Sequence, residues 1–462
     1  MVGHSNSPPL NLWSVFGIAS LATFLVSIDS TILYAAFSNI AASFSQASPS
    51  SISWVMNAYT IVYATTLIPA GGMADRFGRK KVFMVGVALF TWASFLCGLA
   101  PNIYLLITAR IIQAVGAAMI GPAALSLILE AFPQAKRAQV ISAWGAVGAL
   151  AAALGPASGT LIVDSLGWEW TFFINVPIGI YCVLRGRKTL SESSNSKTHV
   201  RFDAVGMALI ILSIGLMTTS IIGVGSISLS WLQRLFIFLA SGGVILIFAV
   251  WCKTANNPLV DLALFKNRTY LFVNLASFLF SVAFATMFFS FFFFMTNIWH
   301  FSLPLAGLAI TPGPLMVIPV AILSGKIASK IGHRKLLMYG CLVFAAGACW
   351  YLNVPGITPN YWVDWLPGQI LTGIAIGMVM PSLSAAAVHD LPKKDYAIGS
   401  SINQAIRQIG TVVGVAITIS VLVHPHLEIA YFNKLYLIQI GLAFMAAILV
   451  TQVDTAPRKL QS

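Results

Sequence analysis

Apolar runs of about 20 residues, each long enough for a helix to cross a bilayer, follow one another along almost the whole chain with short polar segments between them. In order, they predict helices over 12–37, 52–71, 82–99, 103–128, 138–163 and 170–185, then 204–224 and 232–251, then 270–298, 304–325, 335–354, 363–386, 399–423 and 434–453, fourteen in all. A polar, serine-rich stretch from Gly186 to Asp203 and the loop from Asn256 to Thr269 divide these into six, two and six. The loop from Asn256 to Thr269 has alternating apolar residues suited to lying along the membrane surface. The expected fold is all-α and integral to the membrane: two six-helix bundles plus a two-helix insert, organised as 1–187, 188–269 and 270–462.

Composition agrees with this pattern. The 462 residues are 58% hydrophobic and 8% charged, whereas a soluble domain is about a quarter charged. The net charge of +13 does not point to nucleic acid, because the bases are spread thinly over the loops and form no continuous patch. Basic loops between membrane helices stay in the cytoplasm. Placing the N-terminus there puts 22 of the 26 Lys and Arg on the cytoplasmic side, and both termini with them. The five cysteines fall within or at the ends of apolar runs and read as packing residues. No base precedes the first run, so no cleaved leader is expected and the first helix is retained.

The densest of the charged loops is Gly71-Gly72-Met73-Ala74-Asp75-Arg76-Phe77-Gly78-Arg79-Lys80-Lys81. It returns in weaker form as Gly325-Lys326-Ile327-Ala328-Ser329-Lys330-Ile331-Gly332-His333-Arg334-Lys335, which suggests a duplicated bundle, an architecture typical of transporters. Glu130 closes the fourth run at the same cytoplasmic level, so a contact between Arg79 and Glu130 is expected. A charge cluster across helix ends holds one bundle conformation and releases it in another. The alternative is a plain solvated turn.

A carboxylate within hydrocarbon costs several kcal/mol, so an intramembrane acid is a functional candidate by default. Of thirteen acids, Asp29 alone lies well inside a predicted span, and Arg110 and Arg407 are the two bases that do. Span one leaves the membrane about 8 residues after Asp29 and span four starts about 7 before Arg110, which sets both about 10 to 12 Å below the same face at 1.5 Å per residue. Contact between them is therefore expected. Burial favours the neutral form of an acid and a nearby guanidinium favours its carboxylate, so helix movement between such partners changes proton affinity. Proton coupling is the sharper reading of Asp29, and helix-gluing ion pairing the blander one.

Gln113 shares a face with Arg110, and Asn403, Gln404, Arg407 and Thr411 form a second polar stripe, so both read as cavity-lining. Phe284 and Phe288 are read as an aromatic wall of the same substrate cavity, with a lipid-facing stripe as the alternative. Gly155, Pro156 and Gly159 place small residues and a proline in span five, where helices approach closely and bend. The sequence contains no phosphate-binding Gly-x-x-x-x-Gly-Lys-[Ser/Thr] loop, nucleophile elbow or zinc helix motif, which argues against ATP as the energy source and against an enzyme.

These residues resemble the major facilitator superfamily, and within it the fourteen-span drug:proton antiporters. Gly71, Asp75, Arg76, Gly78, Arg79 and Lys80 look like the family's loop two-three motif, and Arg110-Ile111-Ile112-Gln113-Ala114-Val115-Gly116 is similar to its span-four motif, with Ala114 where glycine is usual. Gly148, Gly155, Pro156 and Gly159 resemble the span-five antiporter motif, with Thr160 in place of its second glycine. Asp29-Ser30-Thr31 resembles the fourteen-span signature of span one, from which Tyr34 and Ser38 depart. Trp168 to Pro177 matches a Trp-x-Trp-x-Phe-x-x-Asn-x-Pro pattern, with Glu169 where Arg is common.

The resemblance implies a proton-coupled exporter of amphipathic drugs or toxic small molecules, in the inner (cytoplasmic) membrane, working by alternating access. The alternatives are a proton-coupled transporter of one dedicated metabolite or siderophore, and a transport-dead membrane sensor. The expected partners are a small amphipathic substrate, protons and the lipid bilayer, with no cofactor, no metal and no nucleic acid. The expected unit is a monomer, alone or with an accessory export protein.

Overall fold

The computed structural model describes residues 12–193, 203–222, 229–256, 258–391, 396–422 and 427–455, and within α2, α5, α8, α12 and α15 below it leaves some side chains undescribed, Asp75 and Ser329 among them. Every regular element among the described residues is a helix. The first half comprises α1 (Leu12–Ser43), α2 (Pro49–Phe77), α3 (Arg79–Gly98), α4 (Ile103–Ala131), α5 (Gln134–Leu166), the single turn α6 (Trp170–Phe173) and α7 (Asn175–Thr189). A hairpin, α8 (Ala204–Ile222) and α9 (Trp231–Thr254), follows. The second half comprises α10 (Arg268–Asn297), α11 (Leu303–Ile310), α12 (Pro312–Ile331), α13 (His333–Asn353), α14 (Leu366–His389), α15 (Tyr396–Leu422) and α16 (Ile429–Val450).

Each predicted apolar run is thus helical over most of its described residues. Eleven helices among the described residues are long and apolar enough to cross a membrane by length and composition. Three predicted runs fall outside that set: α2, α5 and the run that breaks into α6 and α7. Breaks have local causes. Pro312 and Pro314 enter the first turn of α12, where a missing N–H costs nothing, and separate it from α11. The segment from Asn256 to Thr269 forms one 3-10 turn, Leu262–Lys266, capped by the Asp261 carboxylate on the Ala263 amide at 2.8 Å.

The two halves repeat the same packing scheme. α3 lies on α4 and α7, α2 on α4, and α1 on α5; correspondingly α13 lies on α14 and α16, α12 on α14, and α10 on α15. Across the seam α2 meets α15 while α5 meets α11 and α12, the same pairing with the halves exchanged. The repeated charged loop obeys the same symmetry. Gly78 between α2 and α3 has φ +106 and Gly332 between α12 and α13 has φ +79, a conformation that L side chains rarely adopt, and each turns the chain at a helix junction.

The helix after each turn is then capped from the end of its own half. The Glu192 carboxylate, just beyond α7, accepts from the amides of Lys80 at 3.1 Å and Lys81 at 3.0 Å. The Thr455 hydroxyl, just beyond α16, accepts from His333 at 2.8 Å and Arg334 at 3.2 Å. Such caps satisfy amides that have no partner inside the helix.

The hairpin sits on the seam. Ile214 of α8 packs with Ile61 of α2 and Val412 of α15, and Ser213 bonds Ser241 of α9. α9 turns Phe236, Leu246 and Val250 outward, all strongly exposed. An outer surface this apolar belongs against lipid.

Candidate functional site

Asp29 lies mid-way along α1 and is 3% exposed. Burying a charge this deeply is tolerated only when it is paired and further hydrogen-bonded. Both conditions are met. Arg110 of α4 donates to Asp29 Oδ2 at 2.6 Å, while Oδ1 accepts from Gln113 Nε2 and from Asn175 Nδ2, each at 2.9 Å. Arg110 and Gln113 are three residues apart on one helix face, and Gln113 returns a second bond, its Oε1 accepting from Arg110 at 2.6 Å. Gln113 Nε2 also donates to Ser94 of α3 at 2.7 Å, and Arg110 Nε to the carbonyl of Val55 in α2 at 3.3 Å. The guanidinium lies 3.9 Å from the Tyr59 ring centroid. One polar knot thus ties α1, α2, α3, α4 and α7.

Local breaks in the helices build it. The chain interrupts between α6 and α7, so Asn175 becomes the first residue of α7 and enters the core fully buried. The Phe172 ring of α6 stands 5.7 Å from the Arg110 guanidinium. The predicted pairing of Asp29 with Arg110 is present. Asn175, Ser94 and Tyr59 complete the knot and carried no role in the sequence reading, although Asn175 stood in the Trp-x-Trp pattern.

Beside the knot lies a cavity of about 240 Å³ between the halves, lined by Ser30 and Tyr34 of α1, Phe284 and Phe288 of α10, and Arg407 and Gln408 of α15, among others. A smaller one of about 50 Å³ shares Ser30, Tyr34, Gln408 and Thr411 with it and reaches Arg110, Tyr59 and Tyr63. The larger space is therefore continuous in its walls with the space that touches the ion pair. Tyr34 packs edge-on against Phe288 at 5.4 Å, so the aromatic stripe of α10 faces the other half and not lipid.

Three residues expected in the substrate cavity line neither space. Gln113 is consumed by Asp29, Arg110 and Ser94. Asn403 donates to Asn274 at 2.9 Å and Ser277 at 3.0 Å and so fastens α15 to α10 inside its own half. Gln404 lies on the seam, donating to Tyr63 of α2 at 3.3 Å. A polar stripe on a helix shows that a partner exists, and the partner in each case proved to be protein. Arg407, Thr411, Phe284 and Phe288 line the cavity as expected.

The glycines of α5 act by proximity. A Cβ on Gly155 would overlap the Thr31 hydroxyl of α1, and one on Gly159 would lie 3.1 Å from the Ile32 backbone. A Cβ on Gly307 of α11 would meet the Pro156 carbonyl at 2.6 Å, so the Gly-Pro segment is wedged between α1 and the second half. At the charged loop, Arg79 pairs with Glu130 at 3.2 Å in a partly exposed bridge, as expected, and Ser193 also donates to Glu130. Gly71 faces Pro122 of α4 and Ser401 of α15. Arg76 lies over the Phe77 ring, and Lys80 donates to the carbonyl of Arg187 at 2.9 Å. The Asp75 side chain lies outside the described residues.

Bundled apolar helices around a central cavity with a buried ion pair beside it define a polytopic membrane carrier. The family model of the Major Facilitator Superfamily matches residues 19–415, and the chain belongs to that superfamily. It is 31% identical over 413 residues to the multidrug export protein EmrB of Haemophilus influenzae, covering 86% of this chain and 78% of that one. It is 32% identical over 399 residues to the multidrug transporter protein MdtP of Bacillus subtilis, covering 86% and 72%. The solved structure of a peptide transporter in complex with sulfate superposes with a TM-score of 0.69 at 14% identity, over 96% of this chain and 94% of that one. That of a D-xylose-proton symporter gives 0.68 at 14%, over 96% and 98%. The protein is accordingly a multi-pass membrane transporter of small substrates and not an enzyme.

Proposed function

We propose that the protein is a proton-coupled antiporter that exports amphipathic small molecules by alternating access. The observation that carries this reading is the position of Asp29: the one acid buried mid-membrane among the described residues adjoins, through Arg110, Ser30 and Tyr34, the walls of the cavity between the halves. Asp29 accepts from three donors here, two of them on Oδ1, so a proton placed on Oδ1 displaces Gln113 or Asn175. Because those donors sit on α4 and α7, protonation and helix rearrangement are linked, which is the requirement for coupling. Relatives with export in their names support the outward direction, as does the wedged Gly155-Pro156 segment.

The fourteen-span arrangement, with 1–187 and 270–462 as the bundles and 188–269 as linker and hairpin, belongs to the same reading, as do placement in the inner membrane and both termini in the cytoplasm. Reporter domains fused at Ser193 and at the C-terminus are expected to report the cytoplasmic side, and an external C-terminus would overturn the even span count. The Arg79–Glu130 bridge, with Gly71, Asp75, Arg76, Gly78 and Lys80 around it, is read as the contact that holds one conformation at that face. The unit is read as a monomer, alone or with an accessory export protein. Efflux of a small panel of amphipathic dyes from vesicles, with and without a pH gradient, tests the function: gradient-dependent efflux supports it, and gradient-independent leakage for every dye contradicts it.

A further inference from the structure

We infer that the cavity between the halves selects amphipathic organic anions: molecules with a flat apolar body and a single carboxylate or comparable oxyanion. The inference rests on the reading of this cavity as the exporter's substrate site and adds the charge class. No Asp or Glu lines the larger cavity among the described residues, while the guanidinium of Arg407 does. Arg407 donates to the Ser384 hydroxyl at 2.8 Å and has no carboxylate within salt-bridge distance among the described residues. Arg110, the other intramembrane base, is neutralised by Asp29, so Arg407 sets the sign of the cavity.

A second, independent feature points the same way. Gln369 and Ser281, both fully buried, line the cavity and leave Gln369 Nε2 and Ser281 Oγ without a hydrogen-bond partner. The orientation of the Gln369 amide is fixed, because its Oε1 accepts from the Gly313 amide at 3.1 Å, so its unused group is a donor. The hydroxyls of Ser30, Thr31, Thr372 and Thr411 already donate to carbonyls of their own helices. Gln369 Nε2 of α14 and the Arg407 guanidinium of α15 are therefore donors on the wall of this cavity, with the Ser281 hydroxyl of α10 able to donate and the Gln408 amide able to donate or accept. A planar oxyanion accepts from such a set, with Arg407 able to hold it by two parallel bonds. The apolar remainder, Phe284, Phe288 and Phe291 with Tyr34, offers a wall for a flat ring system.

Three probes sharing one ring separate charge from shape: 2-naphthoate, 2-naphthamide and 2-naphthylmethylammonium, bound to the full chain in nanodiscs and measured by equilibrium dialysis. Naphthoate is expected to bind at least about tenfold more tightly than the ammonium compound, and Arg407→Gln to remove about tenfold of naphthoate affinity while moving naphthamide by less than about twofold. Equal or tighter binding of the ammonium compound overturns the inference, as does no naphthoate binding up to about 1 mM. Those two outcomes need only the unaltered protein, so they stand if the variant fails to fold. Naphthoate binding that depends on Arg407, without transport under a pH gradient, would sink the export reading and leave this one intact. Gradient-driven export of a cationic dye by a protein that does not bind naphthoate would do the reverse.

Discussion

Asp29→Asn is expected to abolish pH-gradient-driven uphill efflux while leaving binding of neutral substrates measurable. The substitution is nearly isosteric and the amide oxygen can still accept from Arg110, but the guanidinium is then buried without its carboxylate, which costs about 3 to 5 kcal/mol, so efflux is compared at equal amounts of folded protein. What is lost is the capacity to bind and release a proton at this depth in the membrane. No second acid among the described residues is buried as Asp29 is, so no substitute is at hand. The walls of the larger cavity contain Ser30, Thr31 and Tyr34 but not Asp29 itself, which is why binding persists. Asp29→Glu is expected to retain partial efflux, because the carboxylate survives one methylene further from α1. Uphill efflux at the unaltered rate by the Asn form would remove Asp29 from the coupling.

The second large effect is on stability. Arg110→Met leaves the Asp29 carboxylate in the core without its cation, and stranding one partner of a buried pair costs about 3 to 5 kcal/mol. The protein is expected to show a markedly lower thermal midpoint in detergent and poor recovery from the membrane. Combining it with Asp29→Asn removes the stranded charge, and the double variant is expected to regain most of the loss. That non-additivity is the signature of a direct pair. A single variant as stable as the unaltered protein would show that the ion pair is dispensable to the fold.

Much of the architecture was legible in the sequence because a membrane chain advertises its helices by length: about 20 apolar residues cannot cross a bilayer otherwise. The repeat of the Gly71 loop at Gly325 announced two related halves, and equal depth within spans one and four brought Asp29 to Arg110. Gly155 and Gly159 were readable as close-approach residues because only small side chains permit such contact. Direction around a helix was harder. Gln113 and Asn403 were read as facing a cavity, yet each faces its own half, since a polar stripe announces a hydrogen-bond partner without naming it.

Asn175 was hidden by the break between α6 and α7, which cannot be located to one residue from hydropathy. Glu192 gave no signal either, since a linker acid acquires meaning only when the chain folds back onto the amides of Lys80 and Lys81. Gln369 and Ser281 are neutral residues in apolar runs, and their unmatched groups emerge only from the packed structure.

In the proposed mechanism Asp29 exchanges a proton in step with substrate. The most direct test follows the pH of a nearly unbuffered solution of the purified, detergent-solubilised transporter, with a pH-sensitive dye, as an exported substrate is added. The unaltered protein is expected to release about one proton per molecule bound, since one carboxyl group holds one proton, and the Asp29→Asn form none. Equal proton release from both proteins would contradict the account.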